Sequence, residues 1–160
     1  MTDQSLPYDY SWPWIGKLTA FYHLGLASTN LTGQFPCFLA NLTQLTETLW
    51  SLELSFNFLT GLESFDQNPL ILPWKSLLFF EMASNLLQGS LPIPPQSIVF
   101  YDVANNDFNG EISLLFCNMN LALLDLANNN LSGMLPQCLG NSSALEVLDL
   151  PNNYFGGDIP

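Results

Sequence analysis

The chain has 160 residues, 48% of them apolar and 10% charged, with two lysines, no arginine and fourteen carboxylates for a net charge of −12. So apolar a chain is not a disordered segment, and its length suggests a single domain. Scarce cations exclude nucleic acid, whose affinity rests on Lys and Arg neutralising phosphates, and favour cationic partners instead.

The opening stretch, MTDQSLPYDYSWPW, carries an acid where a secretory signal has basic residues, and it lacks an apolar h-region. Residues 1–23 are expected to hold a degenerate partial repeat, with Leu6-Pro7 as a block ending and WIGKLTAFYH leading to a strand. The Trp and Pro residues around WPWIG read as packing beneath that strand. From residue 24 a block of 13 residues recurs: LGLASTNLTGQFP at 24, LELSFNFLTGLES at 52, FEMASNLLQGSLP at 80, YDVANNDFNGEIS at 101, LDLANNNLSGMLP at 124 and LDLPNNYFGGDIP at 148. Spacings of 28, 28, 21, 23 and 24 residues are those of a stacked repeat architecture. The second block ends in Glu63-Ser64 where the pattern has an apolar residue and Pro. NPLILPWKSLLFFEMASNLL, the most apolar stretch, is interrupted by Pro73, Lys75 and Glu81 and falls short of the roughly 18 uninterrupted apolar residues of a membrane span.

The shared pattern is Φ-x-Φ-x-x-N-x-Φ-x-G-x-Φ-P, with Φ apolar. Φ-x-Φ has the period of a half-buried strand. Stacked copies place Leu24, Leu52, Phe80, Tyr101, Leu124 and Leu148 in one buried column, and Leu26, Leu54, Met82, Val103, Leu126 and Leu150 in the next. Leu31, Leu59, Leu87, Phe108, Leu131 and Phe155 make a third. No single repeat can bury its apolar face, so the core exists only across neighbours. The structural Asn column (Asn57, Asn85, Asn106, Asn129 and Asn153, with Thr29 in the first block) sits where the chain leaves the strand. An amide there offers donors and an acceptor to backbone groups that lack ladder partners, bridging rung to rung. The Gly column from Gly33 to Gly157 is expected to supply a backbone conformation closed to other residues. Pro36, Pro92, Pro136 and Pro160 are expected to keep the following chain out of regular helix.

L-x-L-x-x-N-x-L-x-G-x-I-P resembles the plant-specific leucine-rich repeat of receptor-like proteins, receptor-like kinases and cell-wall polygalacturonase inhibitors. Residues 91–112, LPIPPQSIVFYDVANNDFNGEI, and 135–150, LPQCLGNSSALEVLDL, are most similar to membrane-distal parts of receptor-like protein ectodomains. The resemblance covers about residues 20–160. It implies an α/β repeat fold over 1–160: a curved leucine-rich repeat solenoid with a parallel β-sheet on the concave face and irregular or 3-10 segments on the convex face. It also implies a non-enzymatic recognition module without cofactor, part of a plant cell-surface receptor acting in defence or developmental signalling. The implied partners are a peptide or protein ligand and a co-receptor, and the implied location is the extracellular face of the plasma membrane, the parent being membrane-anchored. A soluble polygalacturonase-inhibitor-like protein is the alternative. With no paired-cysteine cap, membrane span or kinase motif in its sequence, the chain is expected to be an interior slice of a longer solenoid.

Four N-x-S/T sequons, at Asn30, Asn41, Asn130 and Asn141, are candidate glycosylation sites, the first and third sharing one repeat position and the second and fourth another. Cys37, Cys117 and Cys138 contain neither a Cys-x-x-Cys pair nor a Cys/His cluster, which argues against zinc and any other metal site. Cys117 and Cys138 fall on adjacent rungs and can bond if their Cα atoms come within about 7 Å. They flank Phe116 and Leu139 on opposite sides, which favours buried free thiols instead. His23 is the only imidazole, and no Gly-x-Ser-x-Gly elbow or phosphate loop accompanies it, so no catalytic residue is assigned.

The strand's outward face carries the candidate ligand-binding residues. The middle position of Φ-x-Φ reads Gly25, Glu53, Glu81, Asp102, Asp125 and Asp149, and the position before the block reads His23, Ser51, Phe79, Phe100, Leu123 and Val147. Stacking in register aligns an acid column beside an apolar stripe, a groove for a basic or amphipathic partner. In the alternative reading, each acid only bonds the nearby turn backbone as part of the repeat.

Overall fold

The computed structural model describes residues 21–35, 47–62 and 70–157. The expectations for Leu6-Pro7, the WPWIG stretch, Pro36, Cys37, Asn41, Glu63-Ser64 and Pro160 lie outside the described residues. In chain order the elements are β1 (His23–Gly25), β2 (Thr32–Phe35), β3 (Ser51–Glu53), β4 (Phe58–Leu62), β5 (Phe79–Glu81), β6 (Gln88–Gly89), β7 (Phe100–Asp102) and β8 (Asp107–Gly110). A 3-10 helix (Leu114–Asn118), β9 (Leu123–Asp125), β10 (Asn130–Met134), a one-turn helix α1 (Gln137–Gly140), β11 (Val147–Asp149) and β12 (Tyr154–Gly156) follow.

The Φ-x-Φ segments form one six-stranded parallel sheet in the order β1-β3-β5-β7-β9-β11. Its register pairs equivalent residues, for example Phe80 with Tyr101 and Tyr101 with Leu124. Each strand is three residues long, so only its middle side chain points inward. Leu52, Phe80, Tyr101 and Leu124 are fully buried, as are their stacked partners Met82, Val103 and Leu126. Phe80 and Tyr101 rings lie 5.3 Å apart, and Phe116 packs edge-on to Tyr101 from the 3-10 helix at 5.4 Å. The buried Tyr101 hydroxyl donates to the Pro92 carbonyl at 2.9 Å, so its polar tip is satisfied. At the last described rung Leu148, Leu150 and Phe155 are only half-buried.

Each column asparagine joins two rungs. The Asn129 amide donates to Leu126 O of its own rung and Val103 O of the preceding one, both at 3.1 Å, and its Oδ1 accepts from the Phe108 N–H at 3.1 Å. Asn85, Asn106 and Asn153 repeat this arrangement. Asn57 also accepts from the N–H groups of Thr29 and Leu31, while the Thr29 hydroxyl reaches back to Leu26 O. The residue before each ladder position is left-handed: φ is 58° at Phe56, 57° at Ser84, 57° at Asn105, 55° at Asn128 and 58° at Asn152. Only there can the chain turn sharply enough to aim the next side chain inward. Asn adopts that conformation at lower cost than phenylalanine, so Phe56 is the costliest occupant of this position.

Three features differ from expectation. The segment after the asparagine is not simply a turn: β6, β8, β10 and β12 form a second parallel sheet, and β2 pairs with β4. Its hydrogen-bond partners all lie on neighbouring rungs, so one repeat read alone shows no strand there. Pro136 does not keep the chain out of helix; it is the N-cap of α1, where a missing N–H costs nothing. Gly61 is the one described column glycine without positive φ, beside a register shift between β2 and β4 that changes the local path.

Replacing Asn129 with Ala strands buried backbone groups on two rungs and is expected to cost about 1–3 kcal/mol. Glu146→Gln, at an exposed position, should stay within about 0.5 kcal/mol. Urea unfolding of the two variants separates these outcomes. Phe56→Asn, at an exposed left-handed residue, should raise the urea midpoint, gaining about 1 kcal/mol.

Candidate functional site

Because only the middle residue of each three-residue strand faces the core, the two flanking residues share the open face of the main sheet. Residues β5, β7 and β9 contribute there are half-buried on either side of a buried centre. The register aligns Ser51, Phe79, Phe100, Leu123 and Val147 in one column and Glu53, Glu81, Asp102, Asp125 and Asp149 in the other. Phe79 and Phe100 rings are 6.1 Å apart. Trp50, exposed and edge-on to Phe79 at 5.8 Å, extends the stripe over the rung where Ser51 leaves room. Alternation assigns position 50 to the opposite face, so sequence reasoning missed this residue; its signal is a large aromatic beside a small Ser in the apolar column. At this same end of the sheet, His23 Nδ1 lies 2.8 Å from Ser51 Oγ.

Strand spacing of about 4.8 Å brings carboxylates on adjacent rungs close enough to repel by about 0.9 kcal/mol per pair in water-like dielectric. Burial pushes the Glu81 carboxyl above its usual range, Glu53 and Asp102 push it further, and His23 opposes them. Burial likewise raises Asp102 and Asp125, against the hydrogen bonds they accept; Asp125 adds to the rise at Asp102 and Asp149 to that at Asp125. Those bonds come from the Ala104 and Ala127 N–H groups, each at 3.0 Å, so these two acids do bond the turn backbone as the alternative reading held. A carboxylate has about four acceptor sites, so one such bond leaves capacity for a partner. For Asp149 the equivalent donor falls at Pro151, which has no N–H. The lysine among the described residues, Lys75, is paired with Glu47 at 2.7 Å on the exposed surface and leaves the column uncompensated.

The remaining candidate residues are spread over other faces. Asn30, Asn130 and Asn141 are exposed. Cys117 and Cys138 are not buried free thiols: a disulfide joins them, with Cα atoms 5.5 Å apart, linking the 3-10 helix to α1 of the next rung. Phe116 and Leu139 are buried, and the cysteines next to them meet between the two rungs. An asparagine row absent from the sequence reading runs beside the acid column: Asn128 donates to Asn105 at 2.9 Å, and Asn152 donates to Asn128. Among the described residues no group of three or more His, Cys, Asp or Glu is placed to hold a metal, and no helix is long and apolar enough to cross a membrane.

The Leucine Rich Repeat family matches residues 120–142. Receptor-like protein 54 of Arabidopsis thaliana is 38% identical over 157 residues, covering 86% of this chain and 20% of that protein. The solved plant peptide hormone receptor RGFR1, in complex with RGF2, superposes with a TM-score of 0.77 at 31% identity, over 92% of this chain and 23% of that one. The Arabidopsis receptor kinase HAESA, in complex with the peptide hormone IDA and the co-receptor SERK1, superposes with a TM-score of 0.72 at 30% identity, over 86% of this chain and 23% of that one. The chain therefore spans about a fifth of the length of the curated relative. The fold these proteins share is a non-catalytic one.

Raised carboxyl pKa values have a definite sign for stability. Between the ordinary value and the raised one, the folded state holds more protons than the unfolded state, so stability grows as pH falls through the folded pKa toward 3.8 for Asp102 and Asp125 and 4.5 for Glu81. Thermal melts should give a higher midpoint at about pH 4 than at about pH 7, and Asp102→Asn with Asp125→Asn should flatten that dependence.

Proposed function

We infer, from a chain that belongs to the plant leucine-rich repeat proteins related to receptor-like proteins and receptor kinase ectodomains, that its concave sheet is a recognition surface for a peptide or protein ligand. One observation carries the reading: an apolar column and an acid column lie in register on an open sheet face. Apolar side chains offer area to bury, worth about 25 cal/mol per Å² before the costs of association. The carboxylates steer a cationic partner and set its register more than they add affinity. The parent acts as a membrane-anchored, extracellular receptor in defence or developmental signalling, with a co-receptor as second partner. The relatives named above support that over a soluble wall-enzyme inhibitor, since one is a receptor-like protein and the others are receptors solved with peptide hormones. Exposure of Asn30, Asn130 and Asn141 fits glycosylation at the cell surface.

The test is binding kinetics of an extracellular partner on the parent ectodomain, with substitutions on this face. Asp102→Asn with Asp125→Asn should slow association and weaken its salt dependence, because Asn keeps the bond to the turn but not the charge. Phe100→Ala should mainly speed dissociation, by about tenfold for a lost 1.4 kcal/mol. An unchanged association rate at low salt would show that the acid column is repeat architecture alone.

A further inference from the structure

We propose that the ligand of the concave sheet is an extended segment in polyproline II conformation, with a basic residue at every third position and an apolar residue beside it. This deepens the recognition reading above and rests on it. The periods of the sheet and of such a segment match. Carboxylates repeat once per strand, at about 4.8 Å, so alternate rungs are about 9.6 Å apart. Three residues of polyproline II rise about 9.3 Å, a drift of about 0.6 Å over the span from Glu53 to Asp149. Side chains on one face of a β-strand repeat at about 6.6–6.8 Å, which matches neither one rung nor two. An α-helix advances about 5.4 Å per turn and slips by about half a rung over the same span. Curvature of a concave face draws side-chain tips together, which improves the first match and worsens the last.

The two columns also supply what a three-sided ligand needs. Polyproline II presents its residues in three rows, about 120° apart. A basic row over Glu53, Asp102 and Asp149 leaves Glu81 and Asp125 shared between successive cations, and the next row falls on the stripe of Phe79, Phe100 and Leu123 beside them. The third row faces solvent and accommodates proline. No lysine among the described residues compensates the carboxylates, so charge complementarity selects a cationic occupant. Polyproline II needs no backbone partners, and the face of a sheet, unlike its edge, offers none. Asp102 and Asp125 are already held by the Ala104 and Ala127 N–H groups, so their geometry is set before a ligand arrives.

The test titrates the full chain at low ionic strength with a synthetic peptide of about nine residues made of Lys-Leu-Pro units, by calorimetry, with circular dichroism of the peptide. A scrambled peptide of the same composition and a Glu-Leu-Pro counterpart are titrated alongside. The ordered peptide should bind at least about tenfold more tightly than the scrambled one, and the acidic peptide should not bind. Asp102→Asn with Asp125→Asn, checked for intact fold by its own circular dichroism, should remove the advantage. Equal binding of ordered and scrambled peptides overturns the periodic ligand, as does an ordered-peptide advantage that survives the double substitution. Binding by neither basic peptide overturns the ligand chemistry as well. The recognition reading is judged separately, by the Phe100→Ala and double-Asn kinetics with the extracellular partner.

Discussion

Each described rung leaves backbone groups buried at the point where the chain turns out of the main sheet, and the column asparagines satisfy them. A single amide such as that of Asn106 holds the Met82 and Val103 carbonyls and the Leu87 N–H at once. An unpaired buried group costs about 1–3 kcal/mol, so a rung slipped by one residue would lose several such bonds as well as its apolar contacts. The stack therefore has one register. Everything presented on its surface inherits that register.

The acid column is the clearest consequence. Repulsion between neighbouring carboxylates would favour staggering them, yet Glu81 faces Asp102 and Asp102 faces Asp125 because Phe80, Tyr101 and Leu124 stack behind them. The core decides the alignment and the surface bears its electrostatic cost. Half-burial of the same face raises that cost at Glu81, Asp102 and Asp125. An arrangement that repels itself and that no lysine among the described residues compensates is a poor device for stability and a good one for attracting cations. The turn bonds of Asp102 and Asp125 do not compete with that role, because they occupy only part of each carboxylate's acceptor capacity.

Stacking also explains the second sheet and the disulfide. Once the main sheet sets rung spacing, the segments after each asparagine lie side by side and complete their own hydrogen bonds, Leu131 beside Gly110 and Phe155 beside Gly133. On the far side of the core, Phe116 and Leu139 anchor the helical turns of adjacent rungs and bring Cys117 and Cys138 within bonding reach. Both arise between rungs and have no counterpart within one.

From the sequence alone, the three apolar columns, the asparagine ladder and the composition of the two outward columns were legible, because each follows from a side-chain period of two within the strand and a recurring block between strands. The left-handed residue before each asparagine, the second sheet, the Cys117–Cys138 bond, the Asn105–Asn128–Asn152 row and the position of Trp50 over Phe79 were decided only by the tertiary structure. Each of these depends on what the neighbouring rung offers, some 20 to 30 residues away in the chain. A repeating sequence states which residues recur; the distance and orientation between successive copies come from packing.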